Sequence, residues 1–84
     1  MPTISSFYGI LILMHLTRKE HRPPHIHAYY GDDEATFLIS SGDLFEGEFP
    51  ERGKRLVKEF ILTNQKDLQE MWDTEVYKKI PPLK

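Results

Sequence analysis

The chain contains no cysteine among its 84 residues. Disulfide bonds and thiolate metal sites are therefore excluded, and the composition suits a reducing compartment such as the cytoplasm. Long apolar runs are also missing: the longest, residues 10–14, is too short to span a bilayer, and the first residues lack the basic start of a secretion signal. We therefore expect a cytoplasmic protein that does not bind membranes.

The sequence has no excess of positive charge, since its formal net charge is −2 at pH 7. A protein that coats nucleic acid non-specifically is usually basic overall, so this class is disfavoured. The charges nevertheless fall into blocks: residues 32–51 carry seven acidic and no basic side chains, whereas residues 52–58 carry four basic and no acidic ones. Such blocks predict surfaces of opposite sign.

The hydrophobic pattern of the first half predicts β-strands. Residues 9–16 are apolar on both faces, which is typical of a central strand. Further strands are predicted at residues 25–30, 34–40 and 44–48, and the last three predicted strands are joined by short turns that contain glycine. Strands joined by such short turns pair as an antiparallel meander.

After Pro50 the apolar residues recur at helical spacing, and Asn64 with Asp67 is expected to cap a second helix where this pattern is interrupted. The alternative is one helix bent at that point. We predict one α+β domain over residues 1–84. It consists of a three- or four-stranded antiparallel meander sheet (about 9–48), one or two C-terminal helices packed on one face (about 50–77) and an extended tail (78–84).

Helices on one face of the sheet would leave Leu11, Leu13 and Leu38 on the other face. A short chain has few residues left to cover them. We predict that this face is a dimer or partner interface. The alternative is that the N-terminal segment or the tail folds over it.

All four histidines fall within residues 15–27. Strand alternation places His25 and His27 on one face, about 7 Å apart, together with Tyr29. His21 can reach the same side from the preceding loop, which the prolines before His25 stiffen.

Three interpretations of these histidines stay open. The first is a metal site in which His25 and His27 are the ligands and His21, Asp32 or Glu34 completes the set. The second is a metal-independent ribonuclease, in which His21, His25 and His27 are the candidate acid–base groups and Arg22 is a candidate phosphate-holding cation. The third is a rigid structural turn without catalysis. No cofactor is expected from the sequence.

A candidate surface for nucleic acid or a partner is formed by basic residues on both sides of the acidic block. Its members are Arg18, Lys19, Arg22, Arg52, Arg55 and Lys58. Phe7, Tyr8 and Trp72 are predicted to be core residues and not platforms for base stacking, because none of them lies in a basic, aromatic-rich strand.

Several segments together carry a family resemblance. They are Pro2-Thr3-Ile4-Ser5, Phe7-Tyr8-Gly9, Glu20-His21-Arg22-Pro23-Pro24-His25-Ile26-His27-Ala28, Glu46-Gly47-Glu48-Phe49-Pro50, Arg55-Leu56-Val57 and Trp72. The chain resembles the small prokaryotic domain-of-unknown-function family numbered 4160, whose members are often encoded beside a second small protein, as in a toxin–antitoxin pair. The resemblance implies a cytoplasmic protein that acts with another small protein, and it assigns no catalytic residue.

We therefore predict an interaction domain of a toxin–antitoxin-like pair, and the sequence favours binding over catalysis without deciding between them. Its expected partner is a small protein or a second copy of the chain, with nucleic acid as a further ligand. The alternatives are the metal-independent ribonuclease and the metal-binding protein.

Overall fold

The structure is a computed structural model, and it describes residues 3–14, 23–74, 76 and 78–82. Strands come first along the described chain and helices follow, as predicted. The elements are β1 (Thr3–Phe7), β2 (Ile10–Leu13), β3 (His25–Tyr30), β4 (Asp33–Leu38), β5 (Leu44–Gly47), α1 (Glu51–Thr63) and α2 (Gln65–Thr74).

The strands form one antiparallel sheet in the order β1-β2-β3-β4-β5, which confirms the predicted α+β class and the meander. The sheet has one strand more than the sequence predicts, because Thr3–Phe7 pairs with β2. The sequence did not predict β1 because its threonine and two serines interrupt the apolar pattern, although Ile4 and Phe7 are buried. The predicted first strand, residues 9–16, is limited to Ile10–Leu13 among the described residues.

One face of the sheet forms the core with both helices. Alternate strand residues such as Ile12, Ile26 and Phe37 are fully buried in the same cluster as the helical residues Phe60 and Leu68. This alternation follows from the two-residue period of a strand, which sends every second side chain to the same side.

The helical region divides into two helices at Asn64, as the first of the two alternatives predicted. The side chain of Asn64 does not cap α2, contrary to the prediction. Its Nδ2 donates to the carbonyl of Phe60 at 3.0 Å, so the asparagine satisfies the end of α1. The Asp67 carboxylate accepts a bond from Lys78 at 3.3 Å and is not part of a cap.

The described part of the predicted tail lies beside β1. The backbone N–H of Ile80 donates to the carbonyl of Ile4 at 2.9 Å, and the Ile80 side chain is buried in the core. Ile80 is therefore held at the sheet edge and not on its second face, while Lys78 bonds to Asp67 of α2. Among the described residues, neither helix has the length and apolarity needed to cross a membrane.

On the second face of the sheet, the ring of Trp72 from α2 packs against that of His25. We call this surface the histidine face. It is formed by Leu11, Leu13, His27, Tyr29, Glu34, Thr36, Leu38 and Glu46. Leu11 is 37% exposed and Leu38 is half-buried, whereas Leu13 is buried. These leucines lie opposite the helices, as expected, and their role as an interface stays a prediction.

Candidate functional site

The proline pair fixes the point at which His25 enters the sheet. The Nδ1–H of His25 donates to the carbonyl of Pro23 at 2.9 Å, and the carbonyl of Pro24 accepts the N–H of Ile39 at 3.1 Å. The His25 side chain is only 2% exposed, and its ring packs 5.1 Å from that of Trp72. His25 thus ties the turn to β4 and α2.

His27 is the more accessible of the two strand histidines. Its ring lies 5.2 Å from that of His25, closer than the strand repeat alone predicts, and it pairs with Thr36 of β4. His27 is half-buried on the histidine face. A ligand on this face would therefore meet the imidazole of His27 before that of His25.

Tyr29 and Glu34 form the next cross-strand pair along β3 and β4. Burial raises the pKa of the Tyr29 hydroxyl, and so do the charge of Glu34 and the hydrogen bond that the hydroxyl donates to this carboxylate. The folded state therefore holds the phenol proton more tightly than the unfolded state. The resulting stabilisation is complete below pH 10.0, the ordinary pKa, and is lost as the pH rises through the raised pKa.

The variant Glu34→Gln should lower the pKa of Tyr29, because the charge that opposes phenolate formation is removed while an acceptor oxygen remains. Alkaline titration of the near-ultraviolet phenolate absorbance would measure this change. Tyr29→Phe is the control. It removes the late transition, which is the phenolate absorbance change at the highest pH, and so assigns that change to Tyr29. An unchanged late transition in Glu34→Gln would contradict the pairing.

A shallow depression of about 240 Å³ lies on the histidine face beside this pair. Its lining consists of His27, Glu34, Ala35, Thr36, Glu46 and Gly47. The hydroxyl of Thr36 accepts the backbone N–H of Glu46 at 3.1 Å, which fixes β5 at this point. The depression is thus lined by two acidic side chains and one imidazole.

The family was identified by comparison with family models. The model described as a domain of unknown function, DUF4160, matches residues 9–73, which include the histidine face and both helical segments up to Asp73. The chain belongs to this family. Comparisons with curated proteins and with solved structures gave no match. β1 and Ile80 lie outside the matched residues. They are joined by the backbone hydrogen bond from Ile80 to Ile4.

Some of the predicted site residues of this family member lie outside the described residues: His21, Arg18, Lys19 and Arg22, together with His15. Their roles stay predictions. His25 and His27, the predicted metal ligands, lie side by side as expected. No group of three or more His, Asp or Glu residues suited to a metal occurs in the described part of the chain.

The predicted basic site residues of α1 line two different depressions, and their role as a surface for nucleic acid or a partner stays a prediction. Arg55 and Lys58 line one groove on the outside of the helix, whereas Arg52 lines a separate cavity at its start. The ammonium of Lys58 also bonds to Asp43 at 3.1 Å. This hydrogen bond and the positive charge lower the pKa of the Asp43 carboxyl.

The sequence prediction of sites omitted Thr36 and Glu46 and named Glu34 only as an additional metal ligand. The sequence feature that indicates the positions of Glu34 and Thr36 is the two-residue turn Gly31-Asp32 between β3 and β4. A two-residue hairpin fixes the register, so Tyr29 must face Glu34 and His27 must face Thr36. The position of Glu46 depends on an irregular register between β4 and β5, which no local pattern indicates.

Proposed function

We propose that this protein is an interaction domain that binds a partner protein on the histidine face, as one component of a toxin–antitoxin-like gene pair. The observation that carries the proposal is the division of the sheet into two unequal faces. One face is buried under α1 and α2, whereas Leu11, 37% exposed, adjoins Tyr29 on the other. Apolar side chains grouped on an exposed face are typical of a protein–protein contact.

The charge of the histidine face favours a basic protein partner over nucleic acid. Glu34 and Glu46 line the depression. Asp43 and Glu48 flank β5 on either side. A surface of this sign speeds association with a basic partner and repels a phosphate backbone.

The edge of the sheet offers such a partner a second means of binding. Among the described residues nothing pairs with the outer edge of β5, whereas the opposite edge strand, β1, is bonded to Ile80. An extended segment of a partner can add to a free edge strand through main-chain hydrogen bonds. The exposed Phe45 lies on this strand and would contact the added segment.

The burial of His25 also favours an interaction role over the two-histidine ribonuclease. That mechanism needs two imidazoles that both reach the substrate, one as a base and one as an acid. His25 is packed against Trp72 and bonded through Nδ1 to Pro23, so its role is to hold the turn. The half-buried His27 is left as a polar contact on the docking face.

The proposal predicts that Leu11→Asp weakens binding to the product of the neighbouring gene by about tenfold or more, because a desolvated apolar contact is replaced by a charge. Co-expression and co-purification, followed by a titration of the purified pair, would measure the loss. Leu62→Asp is the matched control, since Leu62 is 49% exposed on the outside of α1.

Glu34→Lys tests the same surface through charge and should also weaken binding, while circular dichroism verifies that each variant is folded. Absence of a complex with the wild-type chain would refute the proposal. So would equal binding by Leu11→Asp, Glu34→Lys and Leu62→Asp.

A further inference from the structure

A separate cavity of about 260 Å³ lies on the helical side of the sheet, where the β1–β2 turn, the end of β3 and the start of α1 meet. Ile10, Pro50 and Leu56 contribute apolar lining, and Tyr8, Tyr30 and Arg52 bring polar groups to it. The volume is slightly below the range of drug-sized ligand pockets, so it suits one planar base, with the rest of a larger ligand lying outside the cavity.

Tyr8 is an exposed aromatic residue in an unusual backbone conformation. The sequence predicts a core position for it, but the side chain is 52% exposed, and this prediction was wrong. Its φ of 49° lies in the left-handed region, which non-glycine residues rarely adopt. The tight turn between β1 and β2 imposes this conformation and turns the ring out of the core, which Phe7 enters instead. Strained backbone of this kind is concentrated at functional sites.

Tyr30 supplies a second, rigid aromatic surface. Its ring lies over Gly9, where a β-carbon would come within 3.2 Å of Cε1, and it packs 6.2 Å from the ring of Phe49. Even so, 43% of the side chain is exposed. A ring that is already held in place loses little conformational entropy when a ligand stacks on it.

Arg52 is the cation of this cavity. Within the described residues it forms no ion pair, whereas Lys54 bonds to Glu51 at 3.3 Å and Lys58 bonds to Asp43. The pairing of Glu51 with Lys54 also reduces the negative charge beside Arg52. A guanidinium without a carboxylate partner is suited to bind phosphate through two parallel hydrogen bonds.

We propose that this cavity binds a nucleotide, with the base stacked on Tyr8 and Tyr30 and the phosphate held by Arg52. Stacking on tyrosine beside an arginine is the combination by which proteins hold unpaired bases. The nucleotide is either free or one residue of single-stranded RNA. The cavity lies away from the histidine face, so this inference does not depend on the proposed partner site.

The probes are AMP and UMP, followed by NMR of the full chain, and a short fluorescein-labelled single-stranded RNA, followed by fluorescence anisotropy. Saturable binding is expected for at least one of them. If the mononucleotides bind about as tightly as the RNA, the ligand is a free nucleotide. If only the RNA binds, the site holds one base of a strand.

Arg52→Gln should weaken binding about tenfold, the factor expected for one charge-assisted contact to phosphate. Tyr8→Asn should weaken it by a similar factor through the lost stacking, because asparagine tolerates the left-handed backbone and so preserves the turn. The matched control is Lys66→Gln, an exposed cation on α2 outside the cavity, which should change the affinity less than about twofold.

Two results would overturn the proposal. One is the absence of saturable binding for AMP, UMP and the RNA alike. The other is an equal loss of affinity in Arg52→Gln and Lys66→Gln, which indicates diffuse attraction to exposed cations and not a defined cavity.

Discussion

Replacement of Phe60 by alanine is expected to lower the free energy of unfolding by about 3–5 kcal/mol. Phe60 lies on the side of α1 that faces the sheet and is fully buried. Its ring centroid lies 5.0 Å from that of Phe7. The variant loses the transfer free energy of the ring and leaves a cavity that the rigid sheet cannot close. Since native domains have about 5–15 kcal/mol of stability, a chain this short would lose much of it.

Urea denaturation followed by circular dichroism would measure this effect. Leu62→Ala is the control, because Leu62 lies on the same helix but faces solvent, and it should cost less than about 0.5 kcal/mol. A similar loss in both variants would show that α1 does not pack through the Phe60 side.

Gly47→Ala is expected to destabilise the protein by about 2–5 kcal/mol and to displace β5. Gly47 has a φ of +94°, and a β-carbon there would overlap the carbonyl oxygen of Glu34 and lie 2.9 Å from Cα of Ala35. Because both of these atoms belong to the backbone of β4, neither can move without distorting the strand. The neighbouring Glu46 would be displaced too, so binding of the proposed partner should weaken together with stability.

Gly31→Ala separates the steric effect from the backbone effect. Gly31 also has a positive φ, +58°, but a β-carbon there would meet nothing within 4 Å. Its expected cost is therefore only the left-handed backbone penalty of about 1–2 kcal/mol. Equal losses in the two alanine variants, measured by the same denaturation experiment, would be inconsistent with close contact between β4 and β5.

The two proposed sites would use different parts of the molecule. The histidine face is acidic, and its expected ligand is basic, whereas the cavity beside Arg52 would take an anion. The charge blocks of the sequence predicted two surfaces of opposite sign, and the structure places Glu34 and Arg52 on opposite sides of the sheet. A partner protein and a nucleotide could therefore bind the chain at the same time.

Local sequence determined the central hairpin. The strand His25–Tyr30 has the predicted boundaries, because a strongly alternating apolar pattern ends at a two-residue turn that begins with Gly31. The same local rules indicate the separate helices, since Asn64 is a poor helix former that can bond to the preceding turn.

Contacts between distant segments decided the rest. β1 is a strand because β2 offers it an edge, although its serines are weak strand formers. Alternation alone cannot distinguish His25 from His27, and it is Trp72, far along the chain, that buries one ring and leaves the other half-exposed. Likewise, Tyr8 and Tyr30 line one cavity with Arg52 only because the β1–β2 turn, the end of β3 and the start of α1 come together.

The sequence by itself thus determined the fold class and the β3–β4 hairpin, since both follow from periodicity and short turns. Tertiary structure decided which histidine is accessible and which tyrosines line the cavity with Arg52. The physical reason is that burial and site geometry depend on neighbours from remote parts of the chain, whereas strand direction and alternation depend on adjacent residues.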